Sequence, residues 1–335
     1  MRLSILDQSP IISGFTPAHA IAETIKLAQA AERLGYFRYW LAEHHSLAAL
    51  ADPCPEILVT RVAAATSTIR VGTGGILLPH YSALKVAEQF RMLEALFPQR
   101  IDLGIGRAPG GDRTTALAMG EGRYSGAEDF PEQVQFLVAY LDDALPAGHP
   151  FAQVKAQPAG PTSPEVWLLG SSDYSGALAA QLGLNFAFAH FISADGGDRV
   201  MRDYKQHFQP SRRAREPQAL LTIFAICAAT DAEAHRRAAS IDLRRLNMDY
   251  GLNQPVPTQH EAESRDYNEA EKARIAHNRR RVVLGAPETV KSRLLALRDQ
   301  FEADELMVIT ITGDYRTRLE SYELIAGAFG LCQPV

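Results

Sequence analysis

Short aliphatic runs alternate with longer segments of helical periodicity along this chain of 335 residues. Such alternation is typical of βα units, in which helices connect parallel strands. The first connecting helix is predicted at 17–34, where apolar residues recur every three or four positions before Gly35. Eight strands are predicted, at 2–7, 37–42, 69–73, 101–105, 165–169, 184–189, 219–227 and 304–311.

Eight βα units without an intervening linker favour an α/β fold of the closed (β/α)8 TIM-barrel type, with residues 1–335 forming a single domain. Two stretches are longer than ordinary connections: 107–127, rich in glycine and arginine, and 249–276, which is polar. Long insertions of this kind are often lids or binding loops. We therefore expect 249–276 to be a mobile lid.

Composition excludes several classes of function. The net charge is −5 and no run of five or more basic residues occurs, so the charge pattern does not indicate nucleic-acid binding. No apolar stretch reaches 18 residues and the N-terminus lacks a signal-peptide core, which predicts a cytoplasmic protein without a membrane span. Cys54, Cys227 and Cys332 are too widely spaced for a disulfide framework or a CxxC site. Chemistry on a small molecule is the expectation that remains.

Catalytic residues of a βα barrel lie at the carboxyl ends of its strands. The second predicted strand ends at Glu43, His44 and His45. Neighbouring strand residues point to opposite faces, so the two histidines should differ in role. We assign proton transfer to His44, because imidazole titrates near pH ~6.5, and we expect His45 to be a hydrogen-bonded wall residue. No HExxH motif or cysteine–histidine cluster accompanies them, so no metal site is predicted.

Glycines and an arginine follow the third and fourth strands. Gly74 and Gly75 allow a close approach of a ligand, although a simple bulge at the barrel rim is an alternative. The segment 104–112 fails as a dinucleotide fingerprint because Pro109 replaces its last glycine. Arg107 is interpreted as a clamp for a phosphate, or else as the partner of a nearby carboxylate.

The fifth strand leads into a turn rich in glycine and serine that precedes a helical pattern. Gly170, Ser171, Ser172 and Ser175 would offer amides and hydroxyls to an anion at the positive end of the helix dipole. Ordinary helix capping is the alternative reading of the same residues. Because this turn and the segment after the fourth strand belong to neighbouring units, together they predict a phosphate site.

Further along, an aromatic group at the end of the sixth strand is assigned either to the pocket of an organic substrate or to the core; it comprises Phe186, Phe188, His190 and Phe191.

Taken together, the segments resemble the bacterial luciferase-like family of flavin-dependent monooxygenases. The matching pieces are LSILDQSP at 3–10, WLAEHH at 40–45, GTGGILLP at 72–79, FPQRIDLGIGR at 97–107 and VLGAP at 283–287. The likeness is closest to the single-chain group with the LDQSP opening, and it extends over nearly the whole chain.

The resemblance implies roles for individual residues. His44 would be the catalytic histidine beside the reactive edge of the flavin, with Glu43 as its neighbour in the motif. Gly74 and Gly75 would form a non-prolyl cis peptide beneath the isoalloxazine ring. The FMN phosphate would be held by Arg107 and the turn at 170–175, through Ser171, Ser172 and Ser175. The region 249–281 would be the mobile active-site loop, and the protein would be a homodimer.

The activity implied is that of a two-component monooxygenase. A separate NAD(P)H:flavin reductase would supply reduced FMN, which would react with O2 through a C4a-hydroperoxyflavin to oxygenate a small organic substrate. Gly106 and Ser171 depart from bacterial luciferase, which has a cysteine and a glutamate there, so light emission is not expected. A deazaflavin-dependent dehydrogenase and a non-catalytic flavin-binding protein are the alternatives.

Overall fold

In the computed structural model, which describes residues 1–120 and 128–331, the chain alternates between strands and helices. The strands are β1 (Arg2–Asp7), β2 (Arg38–Leu41), β3 (Arg70–Leu77), β4 (Ile101–Gly106), β5 (Glu165–Gly170), β6 (Asn185–Ala189), β7 (Ala219–Cys227), β8 (Val282–Gly285) and β9 (Glu305–Ile309).

Eight of these strands close into a parallel barrel. Each of β1 to β7 pairs with the next, β7 also pairs with β9, and β9 pairs with β1 to complete the ring. The predicted TIM barrel is therefore confirmed, and the eight predicted strands correspond to the eight strands of the ring. The short strand β8 was not predicted; within the described chain it pairs with the last four residues of β7.

The helices surround this barrel. They are α1 (Pro17–Arg33), α2 (Pro55–Ala65), α3 (Ala83–Leu96), α4 (Arg113–Met119), α5 (Phe130–Leu141), α6 (Asp173–Leu182), α7 (Gly197–Gln206), α8 (Asp231–Arg237), α9 (Ala239–Asp249), α10 (Gln259–Glu263), α11 (Glu269–Arg279), α12 (Pro287–Gln300) and α13 (Tyr315–Phe329). The predicted first helix is confirmed, and Gly35 follows it with a φ of +83°. None of the described helices is long and apolar enough to span a membrane.

The two predicted insertions contain more regular structure than their composition suggested. Helix α4 occupies part of 107–127, of which 121–127 lie outside the described residues. The stretch 249–276 is not one long loop, because α10 and most of α11 lie within it. Each begins with a capping box, Thr258 with Glu261 and Asn268 with Glu271, which satisfies the first amides of the helix.

Side chains along the strands alternate between two apolar clusters. One fills the barrel and includes Leu6 and Trp40, whereas the other lies between barrel and helices and includes Ile5 and Tyr39. The interior cluster separates the two ends of the barrel, because Trp40 and Trp167 pack edge to face across it with ring centroids 5.6 Å apart.

The amino-terminal end of the barrel is closed by buried ion pairs. Arg38, 1% exposed, contacts Asp102 at 2.7 Å and Glu305 at 2.8 Å, and Arg70 contacts the second oxygen of Asp102 at 2.5 Å. The Trp40 indole also donates to Asp102, at 2.9 Å. The charged residues are the first or second residues of their strands, and Trp40 is the third residue of β2. The network therefore lies at the end of the barrel opposite the one where active sites are found, and we assign it to the scaffold.

Candidate active site

A cavity of about 300 Å³ opens at the carboxyl ends of the barrel strands, and we call it the central cavity. The structure brings every sequence-predicted site residue to its wall. These are Glu43, His44, Gly74, Gly75, Arg107, Gly170, Ser171, Ser172 and Ser175. They come from four different strands and the segments that follow them, so the convergence is produced by barrel closure and not by proximity in sequence.

Most of the remaining wall is apolar. It includes Leu6, Trp40, Ala42, Leu77, Phe130, Leu169, Ala187, Ala189, Phe191 and Ile192. Polar groups are thus confined to a few positions on an otherwise water-excluding surface, which is the usual character of a small-molecule site.

The imidazole of His44 occupies the cavity wall just after β2. Its Nδ1 atom is buried and has no hydrogen-bond partner among the described residues. Burial, together with the positive charge of Arg244, lowers the pKa of His44 to about 4. A hydrogen bond with the Ala42 backbone partly opposes this shift, and the ring is neutral at physiological pH.

The carboxylate of Glu43 has all of its contacts within the protein. One oxygen accepts hydrogen bonds from Tyr81 at 2.9 Å and contacts Nε2 of His45 at 2.7 Å, while the other accepts from the Leu77 amide at 2.9 Å. Glu43 thereby joins the ends of β2 and β3 behind His44. His45 is 9% exposed and hydrogen-bonded to Glu43, as expected, but it is not among the residues that line the central cavity.

The glycines of β3 form part of the cavity wall. The peptide bond between Gly74 and Gly75 is cis, as the family resemblance implied. A Cβ atom at Gly75 would lie 2.7 Å from the Gly104 carbonyl oxygen, so only glycine allows β3 and β4 to approach this closely. Strand β3 continues through both glycines to Leu77, four residues beyond the predicted end.

Arg107 follows β4 and presents its guanidinium group to the cavity mouth. It lies over the ring of Tyr174, 4.3 Å from the centroid, and no carboxylate pairs with it in the described ranges. The alternative prediction, an ion pair between Arg107 and a nearby carboxylate, is therefore not observed among the described residues. An exposed guanidinium stacked on an aromatic ring is held in place while its donors stay available.

The turn after β5 ends at the amino terminus of α6. Ser172 precedes the helix without making a side-chain capping bond, and Ser175 donates back to the Ser172 carbonyl at 2.8 Å. A Cβ atom at Gly170 would overlap the Ser175 side chain, so the absence of a side chain here keeps the turn compact. Ser172 does not cap the helix, but the Tyr174 amide donates to the Asp173 carboxylate at 2.9 Å, so the other amides of the first turn are those that could bind an anion.

The aromatic group after β6 divides between core and cavity. Phe186 and Phe188 belong to the cluster outside the barrel, where Phe188 packs against Phe301, so they do not line the central cavity. His190 also packs on Phe301 and is 5% exposed. Strand alternation turns the small residues Ala187 and Ala189 inward instead. Of the four residues, Phe191 alone lines the cavity.

Two contributors to the site were missed from the sequence. Tyr174, which supports Arg107, was read only as part of the serine-rich turn, although an aromatic residue beside a phosphate turn could have indicated a stacking role. Arg244 of α9 is too far from the strand motifs in sequence to be noticed, yet its charge acts on His44. Conversely, no residue of the predicted lid 249–281 is among those that line the central cavity.

Within the described chain, no group of three or more histidine, cysteine, aspartate or glutamate side chains could hold a metal ion.

Comparison with known proteins shows similarity over nearly the whole chain. The family model for luciferase-like monooxygenases matches residues 1–302. The uncharacterized protein YceB of Bacillus subtilis is 46% identical over 98% of this chain and 99% of its own. The luciferase-like monooxygenase of Escherichia coli K12 is 36% identical over 97% and 96%, and the N-acetyl-S-alkylcysteine monooxygenase of B. subtilis is 35% identical over 98% of each chain.

Solved structures show the same likeness. Apo-MsnO8 superimposes with a TM-score of 0.92 at 41% identity, covering 100% of this chain and 99% of the other. The oxygenating constituent of 3,6-diketocamphane monooxygenase of Pseudomonas putida, in complex with FMN, shares the fold with a TM-score of 0.69 at 20% identity, over 97% and 96%. From the family match and these full-length likenesses, the chain belongs to the luciferase-like monooxygenase family.

Proposed function

We propose that this protein is an FMN-dependent monooxygenase that uses reduced FMN and O2 to oxygenate a small organic substrate. The proposal rests on one observation, which is that two features line the same apolar cavity. These are a neutral histidine, and an anion site whose arginine has no carboxylate partner among the described residues.

The residues at the mouth fit the phosphate of FMN. Arg107 offers an unpaired guanidinium, the first turn of α6 offers amides, and Ser171, Ser172 and Ser175 offer hydroxyls. The apolar wall fits the flavin ring, and Gly74 and Gly75 would border it without side chains. The oxygenating constituent of 3,6-diketocamphane monooxygenase, which has the same fold, was solved with FMN.

Reduced FMN, when bound, supplies the electrons that activate dioxygen. The protein then has three tasks. Its apolar wall excludes water from the reacting atoms. His44 accepts or returns a proton at its imidazole, which lines the cavity. Glu43, whose oxygens are already bonded to Tyr81, Leu77 and His45, acts as a positioning residue that fixes the segment bearing His44.

Reduction of the flavin is assigned to a separate NAD(P)H:flavin reductase, because the chain lacks a dinucleotide fingerprint at 104–112. We also propose a homodimer. Helices α2 and α3 expose Ile57, Met92 and Leu96, each more than half accessible, beside a shallow groove. Sedimentation of the native protein at several concentrations tests this, and a monomer at all of them would contradict it.

The function is tested by adding O2 to a mixture of protein and reduced FMN prepared without oxygen, and following flavin absorbance. We expect the protein to change the course of flavin oxidation relative to buffer. Replacement of His44 by alanine should reduce the proton-dependent step by about 100-fold or more while leaving affinity for reduced FMN within about twofold. His207→Ala, on an exposed histidine that does not line the central cavity, is the matched control.

Flavin oxidation identical to that in buffer would contradict a monooxygenase and favour a binding protein. A protein that instead accepts hydride from a secondary alcohol onto a deazaflavin would favour the dehydrogenase alternative. Unchanged kinetics in His44→Ala would remove this residue from the mechanism.

A further inference from the structure

A second cavity of about 250 Å³ adjoins the central one, and we call it the side cavity. The same two segments border both. After β2, His44 lines the central cavity and Ser46 the side cavity; after β4, Gly110 lines the first and Asp112 the second. Helix α9 and the segment 251–255 complete the side cavity. The two cavities therefore lie on either side of the segments that bear His44 and Gly110, although they share no lining residue.

The side cavity contains a cation without a counter-ion, Arg244. Its Nε atom is buried without a hydrogen-bond partner, and no carboxylate pairs with the guanidinium anywhere in the described ranges. Burial, followed by the nearby charge of Arg245, lowers the pKa of Arg244 to about 10, with no acidic side chain opposing the shift. The group nevertheless remains charged at neutral pH.

Several neighbouring arginines have the carboxylate partner that Arg244 lacks, although Arg245 on the same helix also has no carboxylate ion pair in the described chain and donates to the Asn278 carbonyl at 3.3 Å. Arg279 contacts Asp242 at 2.6 Å, Arg274 contacts Asp249 at 2.7 Å, and Arg265 contacts Glu271 at 2.6 Å. One carboxylate does line the side cavity, that of Asp112, but it caps α4 by accepting the Thr115 amide at 2.7 Å. Since a buried unpaired cation is destabilising, an external anion is the partner that this site lacks.

We propose that Arg244 binds the carboxylate of the organic substrate, and that the rest of the substrate extends past His44 into the central cavity. The inference deepens the proposed function, on which it rests, by naming the substrate class as small organic acids. A single guanidinium suits a planar monoanion, because its fork matches both carboxylate oxygens. A phosphate dianion would instead favour a site with several donors, such as the turn at 170–175 beside Arg107.

The test measures ligand binding to the protein without flavin, by calorimetry. The probes are butanoate, hexanoate and octanoate, each compared with its neutral amide. We expect the carboxylates to bind about tenfold more tightly than the amides, since a hydrogen bond between two charged groups is stronger than one to a neutral amide. Arg244→Met should abolish that preference, and Arg244→Lys should retain part of it. Arg236→Met, which removes an exposed arginine paired with Glu233, should leave the preference unchanged.

Thermal unfolding provides a second readout that does not depend on any ligand. Because Arg244 has no counter-ion, its replacement by methionine should raise the Tm of the flavin-free protein by about 2 °C or more. An arginine with only a structural role would lower it. Equal binding of acids and amides, tighter binding of inorganic phosphate, or a lower Tm for Arg244→Met would each overturn the inference. Carboxylate binding without any effect on flavin oxidation would instead support the inference and contradict the monooxygenase.

Discussion

The two ends of the barrel treat buried charge in opposite ways. At the amino-terminal end, Arg38 pairs with Asp102 and Glu305, Arg70 pairs with the other oxygen of Asp102, and the indole of Trp40 completes the network. At the carboxyl end, Nε of Arg244 and Nδ1 of His44 are buried without partners among the described residues. The difference teaches where a ligand should be sought, because a scaffold satisfies its own polar groups whereas a binding site leaves some for its ligand.

The largest effect is expected where the amino-terminal network is broken. Replacing Arg38 by methionine would leave Asp102 and Glu305 without their main buried counter-ion, so the free energy of unfolding should fall by about 3–5 kcal/mol. Urea unfolding measures this change. Arg298→Met, at an exposed ion pair, should change stability by less than about 1 kcal/mol. A similarly small loss for Arg38→Met would show that the two ends do not differ.

A smaller loss of folding stability is expected when the pH is lowered, through His44 at the carboxyl end of the barrel. The pKa of His44 is about 4 in the folded protein, against 6.5 for the free side chain, so the unfolded chain takes up this proton first. Stability present above pH 6.5 should therefore be lost as the pH falls towards 4, with His44 contributing on the order of 3 kcal/mol.

The measurement compares wild type with His44→Asn in urea at pH 7 and pH 4.5. The wild type should lose more stability than the variant. His190, whose pKa burial also lowers to about 4, is present in both proteins and its contribution cancels. Equal acid sensitivity in the two proteins would mean that His44 is not desolvated as described.

The smallest of these effects concerns the turn after β5. Gly170→Ala would place a methyl group against the Ser175 side chain, which should destabilise the protein by about 1–3 kcal/mol and weaken binding of reduced FMN. Gly148→Ala is the control, because a Cβ atom there meets nothing within 4 Å. If both variants bind reduced FMN equally well, the compact turn is not part of the cofactor site.

Much of the barrel could be predicted because strand periodicity is local. The eight ring strands and the nine residues at the central cavity were found this way, since the carboxyl ends of parallel strands must meet. Strand β8 was not predicted, because four residues between two helices are too few to show a strand periodicity. The end of β3 was placed too early because its glycines were read as a terminator, although pairing with β4 resumes after Gly75 at Ile76 and Leu77.

Other features depend on tertiary structure that the sequence does not display. Because side chains alternate along a strand, Phe186 and Phe188 must share one face of β6. The sequence does not indicate that this face is the outer one, towards the helices. Arg244 acts on His44 across about 200 residues of chain, and only the fold brings them together. In contrast, α10 and α11 could have been predicted, because the patterns Thr258 to Glu261 and Asn268 to Glu271 are capping boxes.

The most direct test of the central claim is an anaerobic titration of reduced FMN into the wild type and into Arg107→Gln, followed by protein fluorescence. If the carboxyl end holds an anion site that the ligand completes, the wild type should bind reduced FMN and the variant should bind it about tenfold or more weakly, through loss of a charged hydrogen-bond donor. Equal affinity of the two proteins, or no binding by the wild type, would contradict the account.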